Sequence, residues 1–143
     1  MKSDIKRKIE NLLSSVNLRC TSPRVAISGV LLQARKPQTA EQIAAKLAPA
    51  AANKVTIYRT LESFVAVGLV HKAFLQNRTW HFELSDRCTK NQCHPHFTCT
   101  NCGDTHCLTE ISLPMAKSPR KGFSIRHQQV RLEGLCPKCN PHL

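Results

Sequence analysis

The chain has 143 residues, enough for one ordinary domain or for two small ones with thin cores. Its 21 lysines and arginines against 9 aspartates and glutamates give a formal net charge of +12, which favours a polyanionic partner, nucleic acid before a membrane surface. The sequence opens without an apolar h-region and has no run approaching the roughly 20 apolar residues that span a bilayer, so we expect a cytoplasmic protein without a membrane partner.

The first half of the chain is predicted to form amphipathic helices. Residues 3–17 carry apolar side chains at helical spacing. A second helix is predicted to begin at Pro23, with Thr21 or Ser22 as its N-cap. Residues 39–49 repeat the pattern with a threonine cap at one end and a proline at the other.

A fourth helix is predicted between Asn53 and Gly68. One stripe of this helix is apolar and should be buried: Ile57, Leu61, Phe64 and Val65. The opposite face presents Val55, Thr56, Arg59 and Ser63, with Tyr58 on the flank. Arginine offers a pair of donors and valine and threonine offer methyl groups to base edges, so this face suits the major groove of DNA.

Two strands follow the helices, separated by the turn-like sequence QNR. In the second strand, alternation predicts Trp80, Phe82 and Leu84 on one face and an outward-facing His81 and Glu83 on the other. A few short helices followed by a hairpin are typical of winged helix-turn-helix proteins. The excess of positive charge agrees with this interpretation, because residues 1–84 hold 13 basic and 5 acidic side chains.

Cysteine pairs mark the last part of the chain. Cys99 and Cys102 are separated by 33 residues from Cys136 and Cys139, and two such pairs can close tetrahedrally on one zinc ion. Because thiols stay reduced in the cytoplasm, we expect a structural zinc site rather than disulfides. Cys20 lies outside this pattern and should pack near the second helix as a small hydrophobe.

A polar segment with further metal-seeking side chains precedes the first cysteine pair. On an extended segment His94 and His96 point to the same side and could bind one ion. Spacing leaves the last ligand of such a site open among Glu83, His81, Cys88 and Cys93. Between the cysteine pairs, residues 111–122 contain two prolines and a glycine, so we expect mostly loop there.

In this order and spacing, the chain resembles the ferric uptake regulator family of metal-sensing repressors. The motifs that carry the resemblance are SPRVAISGVL, NKVTIYRTLESFVAVGLVHK, HFEL, HPHFTCTNCG and GLCPKC. The resemblance implies an α+β protein with a winged helix-turn-helix DNA-binding domain in residues 1–84, a metal-binding hinge in residues 85–95 and a small α/β dimerisation domain with a four-cysteine zinc site in residues 96–143. It also implies a homodimer that represses transcription from double-stranded DNA operators when a regulatory metal binds.

The resemblance suggests ligands for that regulatory metal. Glu83, His94 and His96 match three of the usual four, and His71 matches a position similar to the ligand histidine of zinc uptake regulators. We therefore expect Zn²⁺ as the regulatory metal, with Fe²⁺ as the alternative in an iron- or peroxide-sensing member. Pro95 replaces an acidic residue of a subsidiary site, whose other positions lie near Cys93, Glu110 and His127.

By the same resemblance, Tyr58 and Arg59 read the major groove, while Arg19 takes the place of a basic residue that reaches toward the minor groove. The candidate DNA-contacting residues are Arg19, Lys54, Val55, Thr56, Tyr58 and Arg59. We expect these contacts to belong to one DNA-binding surface.

Two enzyme classes and an unregulated adaptor compete with this interpretation. His81, Glu83 and the second cysteine pair are superficially similar to the zinc deaminase signature, but Pro137 lies inside the pair rather than before it. A thiol redox enzyme is disfavoured because no βαβ pattern surrounds CPKC. A plain zinc-ribbon adaptor leaves the ligand-rich hinge unexplained. We therefore expect a regulator and not an enzyme.

Overall fold

The computed structural model describes residues 2–85, 92 and 94–141. The chain divides into two compact units, Met1–Ser85 and Asp86–Leu143. No helix in the described part of the chain is long and apolar enough to cross a membrane.

The first unit begins with four helices, and local capping explains where they start. The helices are α1 (Lys2–Ser15), α2 (Ser22–Gln33), α3 (Ala40–Lys46) and α4 (Lys54–Ala66). Thr39 forms a capping box at α3, because its hydroxyl accepts from the Gln42 amide and the Gln42 side chain accepts from the Thr39 amide. At α4, the Asn53 side chain accepts from the Thr56 amide at 2.8 Å. The predicted helices are thus present, with ends shifted by a few residues.

A hairpin, called the wing below, completes the first unit. Strand β1 (Val70–Gln76) pairs antiparallel with β2 (Thr79–Leu84), with a register shift between Lys72 and Phe74. A bridge between Gln38 and Phe82 ties the wing to the segment before α3. The core combines helix and wing residues: Ile9, Leu13, Ile27, Leu31, Ala40, Ile43, Ile57, Leu61, Phe64, Leu69, Val70, Phe82 and Leu84.

Two predictions about this unit are wrong. Glu83 does not face outward but is 2% exposed, because both faces of β2 are covered near its end and the His71 side chain partners the carboxylate. Cys20 is exposed rather than packed, because it lies in the link before α2. Trp80 lies near the turn of the wing and is 40% exposed, whereas Phe82 and Leu84 further along β2 are buried.

The second unit is a small sheet held between turns and a long loop. Its strands are β3 (His96–Cys99), β4 (Thr105–Cys107) and β5 (Arg131–Gly134). Strand β3 is central, antiparallel to β4 and parallel to β5. The described residues between β4 and β5 contain no helix, as expected from the prolines of residues 111–122. The Gln128 side chain fastens this loop through the Ala116 amide and the Gln92 side chain.

This unit has almost no apolar core among its described residues. Its buried side chains are Pro95, His96, Thr98, Cys99, Thr105 and Cys136. No leucine, isoleucine, valine, methionine, phenylalanine, tyrosine or tryptophan is among them. The unit therefore needs another source of stability.

Candidate metal centres and nucleic-acid interface

The two cysteine pairs come together at one end of the sheet of the second unit. Cys99 ends β3, and the turn that follows it carries Cys102, while Cys136 and Cys139 lie on the turn after β5. Because β3 and β5 are parallel neighbours, both turns emerge at the same end of the sheet. The four Sγ atoms lie within 4.8 Å of one another.

These distances fit a tetrahedral thiolate site. At a Zn–S bond length of about 2.3 Å, a regular tetrahedron places its sulfurs about 3.8 Å apart. The Sγ atoms of Cys102 and Cys136 lie 3.8 Å apart. The surrounding donors suit thiolates as well, because the Cys136 amide approaches Cys99 Sγ at 3.4 Å and the Asn101 side chain donates to Cys139 Sγ at 3.3 Å. The cluster therefore fits a structural metal ion.

Local hydrogen bonds also adjust the acidity of the thiols. The amides of Cys102 and Cys136 lower the pKa of the Cys99 thiol to about 6, which favours the thiolate form that binds metal. The Asp104 amide acts to lower the pKa of Cys102, but hydrogen bonding to Cys99 and burial raise it to about 11. Negative charge on one sulfur thus opposes ionisation of the next. A bound cation removes this opposition, and metal binding should release protons.

A second group of ligands lies at the other end of β3. The ligand atoms of His94, His96 and Cys107 lie within 4.8 Å of one another. His96 and Cys107 are direct partners in the β3–β4 pairing, and the rings of His94 and His96 have centroids 5.4 Å apart. The residues bring two imidazoles and one thiol together at this end of the sheet.

Cys107 was not among the ligands selected from the sequence. The available signal was the turn that follows Cys99: it folds the chain back, so a hairpin centred there places residue 107 opposite His96. That register pairs a histidine with a cysteine.

The wing carries a further pair of candidate ligands. His71 Nε2 lies 2.9 Å from Glu83 Oε1, and the two residues are direct cross-strand partners. The side chain of Glu83 is 1% exposed and that of His71 19% exposed. A carboxylate buried to this extent requires such a partner. The pair therefore holds both potential ligands in position.

The other candidate metal ligands that the structure describes, His81, Glu110 and His127, do not belong to either group of potential ligands. His81 stacks on Phe74, with ring centroids 4.4 Å apart, and burial lowers its pKa below the ordinary value of 6.5. Glu110 and His127 are both exposed, and no group of three potential ligands among the described residues includes either. Cys88 and Cys93 lie outside the described residues.

The first unit presents the basic face expected for DNA. On α4, Val55 is 57% and Tyr58 49% exposed, while Ile57, Leu61 and Phe64 face the core. Lys54 and Arg59 are exposed on the same helix, Thr56 is partly exposed, and Arg19 is exposed in the link before α2. Four helices followed by a wing, with this outward face, define a winged-helix protein joined to a sheet with a cysteine metal site.

Comparison with known proteins identifies the family. The profile described as the Ferric uptake regulator family matches residues 15–133. The chain belongs to this family of metal-responsive, DNA-binding transcription regulators and is not an enzyme.

The chain is similar to known regulators over most of its length. The Ferric uptake regulation protein of Legionella pneumophila is 26% identical over 133 residues, covering 89% of this chain and 95% of that protein. The transcriptional regulator FurA of Mycobacterium tuberculosis is 29% identical over 133 residues, covering 90% and 87%. The ferric uptake regulator from Pseudomonas aeruginosa with manganese is 26% identical at a TM-score of 0.62, covering 91% and 98%. A zinc uptake regulator complexed with zinc and DNA has the same fold at 22% identity and a TM-score of 0.62, covering 95% and 93%.

Proposed function

We propose that this protein is a sequence-specific transcriptional repressor that uses zinc as its co-repressor and acts as a homodimer in the cytoplasm. The observation that carries the choice of metal is the group formed by His94, His96 and Cys107. Thiolate and imidazole ligands together suit zinc, whereas ferrous iron is better served by sites rich in carboxylate oxygen.

We assign the Cys99, Cys102, Cys136 and Cys139 cluster to a structural zinc ion. The 3.8 Å separation of two of its sulfurs and the lack of buried aliphatic side chains among the described residues nearby support this assignment. Four thiolates leave no open position for a substrate or a signal. The cluster therefore supports the fold, and regulation belongs to other ligands.

We assign the regulatory metal to His94, His96 and Cys107, with Glu83 and His71 of the wing as candidates to complete the set. Two observations support the assignment: the three ligands of the second unit already lie within 4.8 Å of one another, and the wing pair is held by a 2.9 Å hydrogen bond. When bound, a metal would cross-link ligands of the wing to ligands of the sheet. The wing and the sheet would then hold one arrangement instead of many.

That arrangement determines whether the two winged helices of a homodimer can bind one operator. Half-sites are read about 34 Å apart, one turn of the DNA helix. Moving an equilibrium from mostly mismatched to mostly matched dimers takes about 5.5 kcal/mol of differential affinity, which lies within the range for a multidentate metal site. Arg19, Lys54 and the outward face of α4 would then contact DNA.

The alternative is an iron- or peroxide-sensing repressor of the same family. The buried carboxylate of Glu83 favours it, because an oxygen ligand suits ferrous iron. Cys107 distinguishes the two alternatives, because a sulfur ligand is expected in a zinc site and not in an oxygen-rich iron site.

The test begins with DNA duplexes enriched from a random-sequence pool by the zinc-loaded protein. Duplex binding is then measured at fixed salt while zinc or anaerobic ferrous iron is titrated into protein that retains its structural metal. We expect zinc to switch binding on, and expect His94→Ala and Cys107→Ser to abolish the response while leaving the dimer intact.

Cys20→Ser is the matched control for Cys107→Ser, because Cys20 is exposed in the first unit and belongs to no ligand group among the described residues. Cobalt provides a second readout, since a thiolate ligand gives Co²⁺ a charge-transfer band that Cys107→Ser should remove. A response to iron alone, or a fully responsive Cys107→Ser protein, would refute the zinc assignment.

A further inference from the structure

A cleft lies between the outward face of α4 and the wing, and the candidate DNA contacts above do not include its wing residues. Its volume is about 190 Å³. Its walls are formed by Ala40, Tyr58, Glu62, Lys72, Arg78, Thr79, Trp80 and Phe82. The recognition face and the wing therefore share one continuous surface.

We propose that this cleft binds a DNA phosphate and its deoxyribose, from the backbone that flanks the base pairs read by α4. The inference rests on the proposed recognition of DNA by α4. Lys72 and Arg78 supply positive charge, and Tyr58 and Thr79 supply hydroxyl donors for the phosphate oxygens. The indole of Trp80 provides an apolar surface for the sugar.

The position of Arg78 is the first observation that favours a ligand. Asn77 and Arg78 both have positive φ, 50° and 62°, at the tip of the wing. Turns of this kind prefer glycine at the second position, because a side chain is strained there. A long cationic residue is held in a conformation that glycine would adopt without strain. Such residues are concentrated at binding sites.

Two other side chains that line the cleft with Arg78 contact each other. Lys72 Nζ lies 5.1 Å from the centroid of the Trp80 ring, so the lysine and the indole stack against each other. Trp80 remains 40% exposed and Tyr58 49% exposed. Two cations supply the charge that a phosphate requires, and the exposed rings beside them supply an apolar surface.

Glu62 allows the proposal to be tested by the direction in which a substitution changes DNA affinity. Its carboxylate lines the same cleft, and among the described residues neither Glu62 nor Arg78 has an ion-pair partner. A phosphate in the cleft would lie near this like charge. Removing the charge of Glu62 should therefore strengthen DNA binding, whereas removing that of Arg78 should weaken it.

The experiment uses full-length zinc-loaded protein and a duplex enriched by the wild-type protein, and measures affinity at several salt concentrations. We expect Arg78→Gly to lower the affinity and to reduce the slope of log K against log salt by about 0.9, the loss of one phosphate contact. Because glycine relieves the backbone strain at this position, the Tm of the variant should not fall. We expect Glu62→Gln to raise the affinity.

Arg120→Ala is the matched control, because it removes one exposed arginine from the second unit and leaves the cleft intact. The chain has one tryptophan, so a blue shift of its emission on DNA binding reports on Trp80 alone. An Arg78→Gly protein with the wild-type slope, an unchanged Trp80 emission, or weaker binding by Glu62→Gln would overturn the cleft assignment. If the wild-type protein enriches no duplex, the proposed function fails instead.

Discussion

Removal of metal from the cysteine cluster should unfold the second unit and leave the first unit folded. A structural zinc site contributes about 10–16 kcal/mol of binding free energy, and a whole domain is stable by only about 5–15 kcal/mol. The first unit has a continuous apolar core, in which Leu13, Ile27, Ile57, Leu61 and Phe64 are fully buried. The described residues of the second unit bury no such side chain, so nothing comparable compensates for the lost metal.

Hydrogen exchange before and after treatment with a strong chelator measures this difference directly. The Cys99 and Thr100 amides donate to Asp104 and Gly134 at 2.8 Å and should lose protection, whereas the Leu69 amide, which donates to Phe64 at 2.9 Å, should keep it. Cys136→Ser should reproduce the effect of the chelator, with Cys20→Ser as its control. Protected amides in β3 and β5 of a metal-free Cys136→Ser protein would refute the reasoning.

Three further results are expected. Phe64→Ala should lower the free energy of unfolding of the first unit by about 3–5 kcal/mol in urea titrations, because its ring is fully buried, while Val67→Ala at a 40% exposed position should change it by less than about 0.5 kcal/mol. Thr39→Ala removes one half of the capping box and should cost about 1 kcal/mol in the same titration, and a neutral result would show that α3 does not depend on its cap. Burial lowers the pKa of His81, so stability should be complete above pH 6.5 and fall as the pH drops from there; His81→Gln should flatten that slope in acid titrations, and an unchanged slope would contradict this cause.

Local signals were sufficient for the helices. The caps at Thr39 and Asn53 and the apolar stripe of α4 depend on side chains within one or two turns, so the sequence contains the whole interaction. The spacing of the two cysteine pairs likewise predicts a cluster, since four thiols in two short turns have few other common roles.

The wing and the second ligand group have features that local sequence patterns do not predict. Alternation predicts which residues share a face of β2, but it does not say that both faces are covered near Glu83, and the exposed Trp80 shows the same limitation. The role of Cys107 depends on the register of a hairpin, and a shift by one residue would have turned its side chain to the other face. Contacts between distant segments decide these points.

The cysteine cluster also affects how well the loop between the cysteine pairs can tolerate insertions. The two cysteine pairs close a segment of 33 residues, part of which is an exposed loop around Gly122, where φ is 89°. Once a cross-link holds the ends, doubling the length of such a segment costs only about 0.6 kcal/mol of closure entropy. This loop is therefore the place where insertions should be tolerated during evolution, and where a reporter peptide can be inserted without displacing either ligand group.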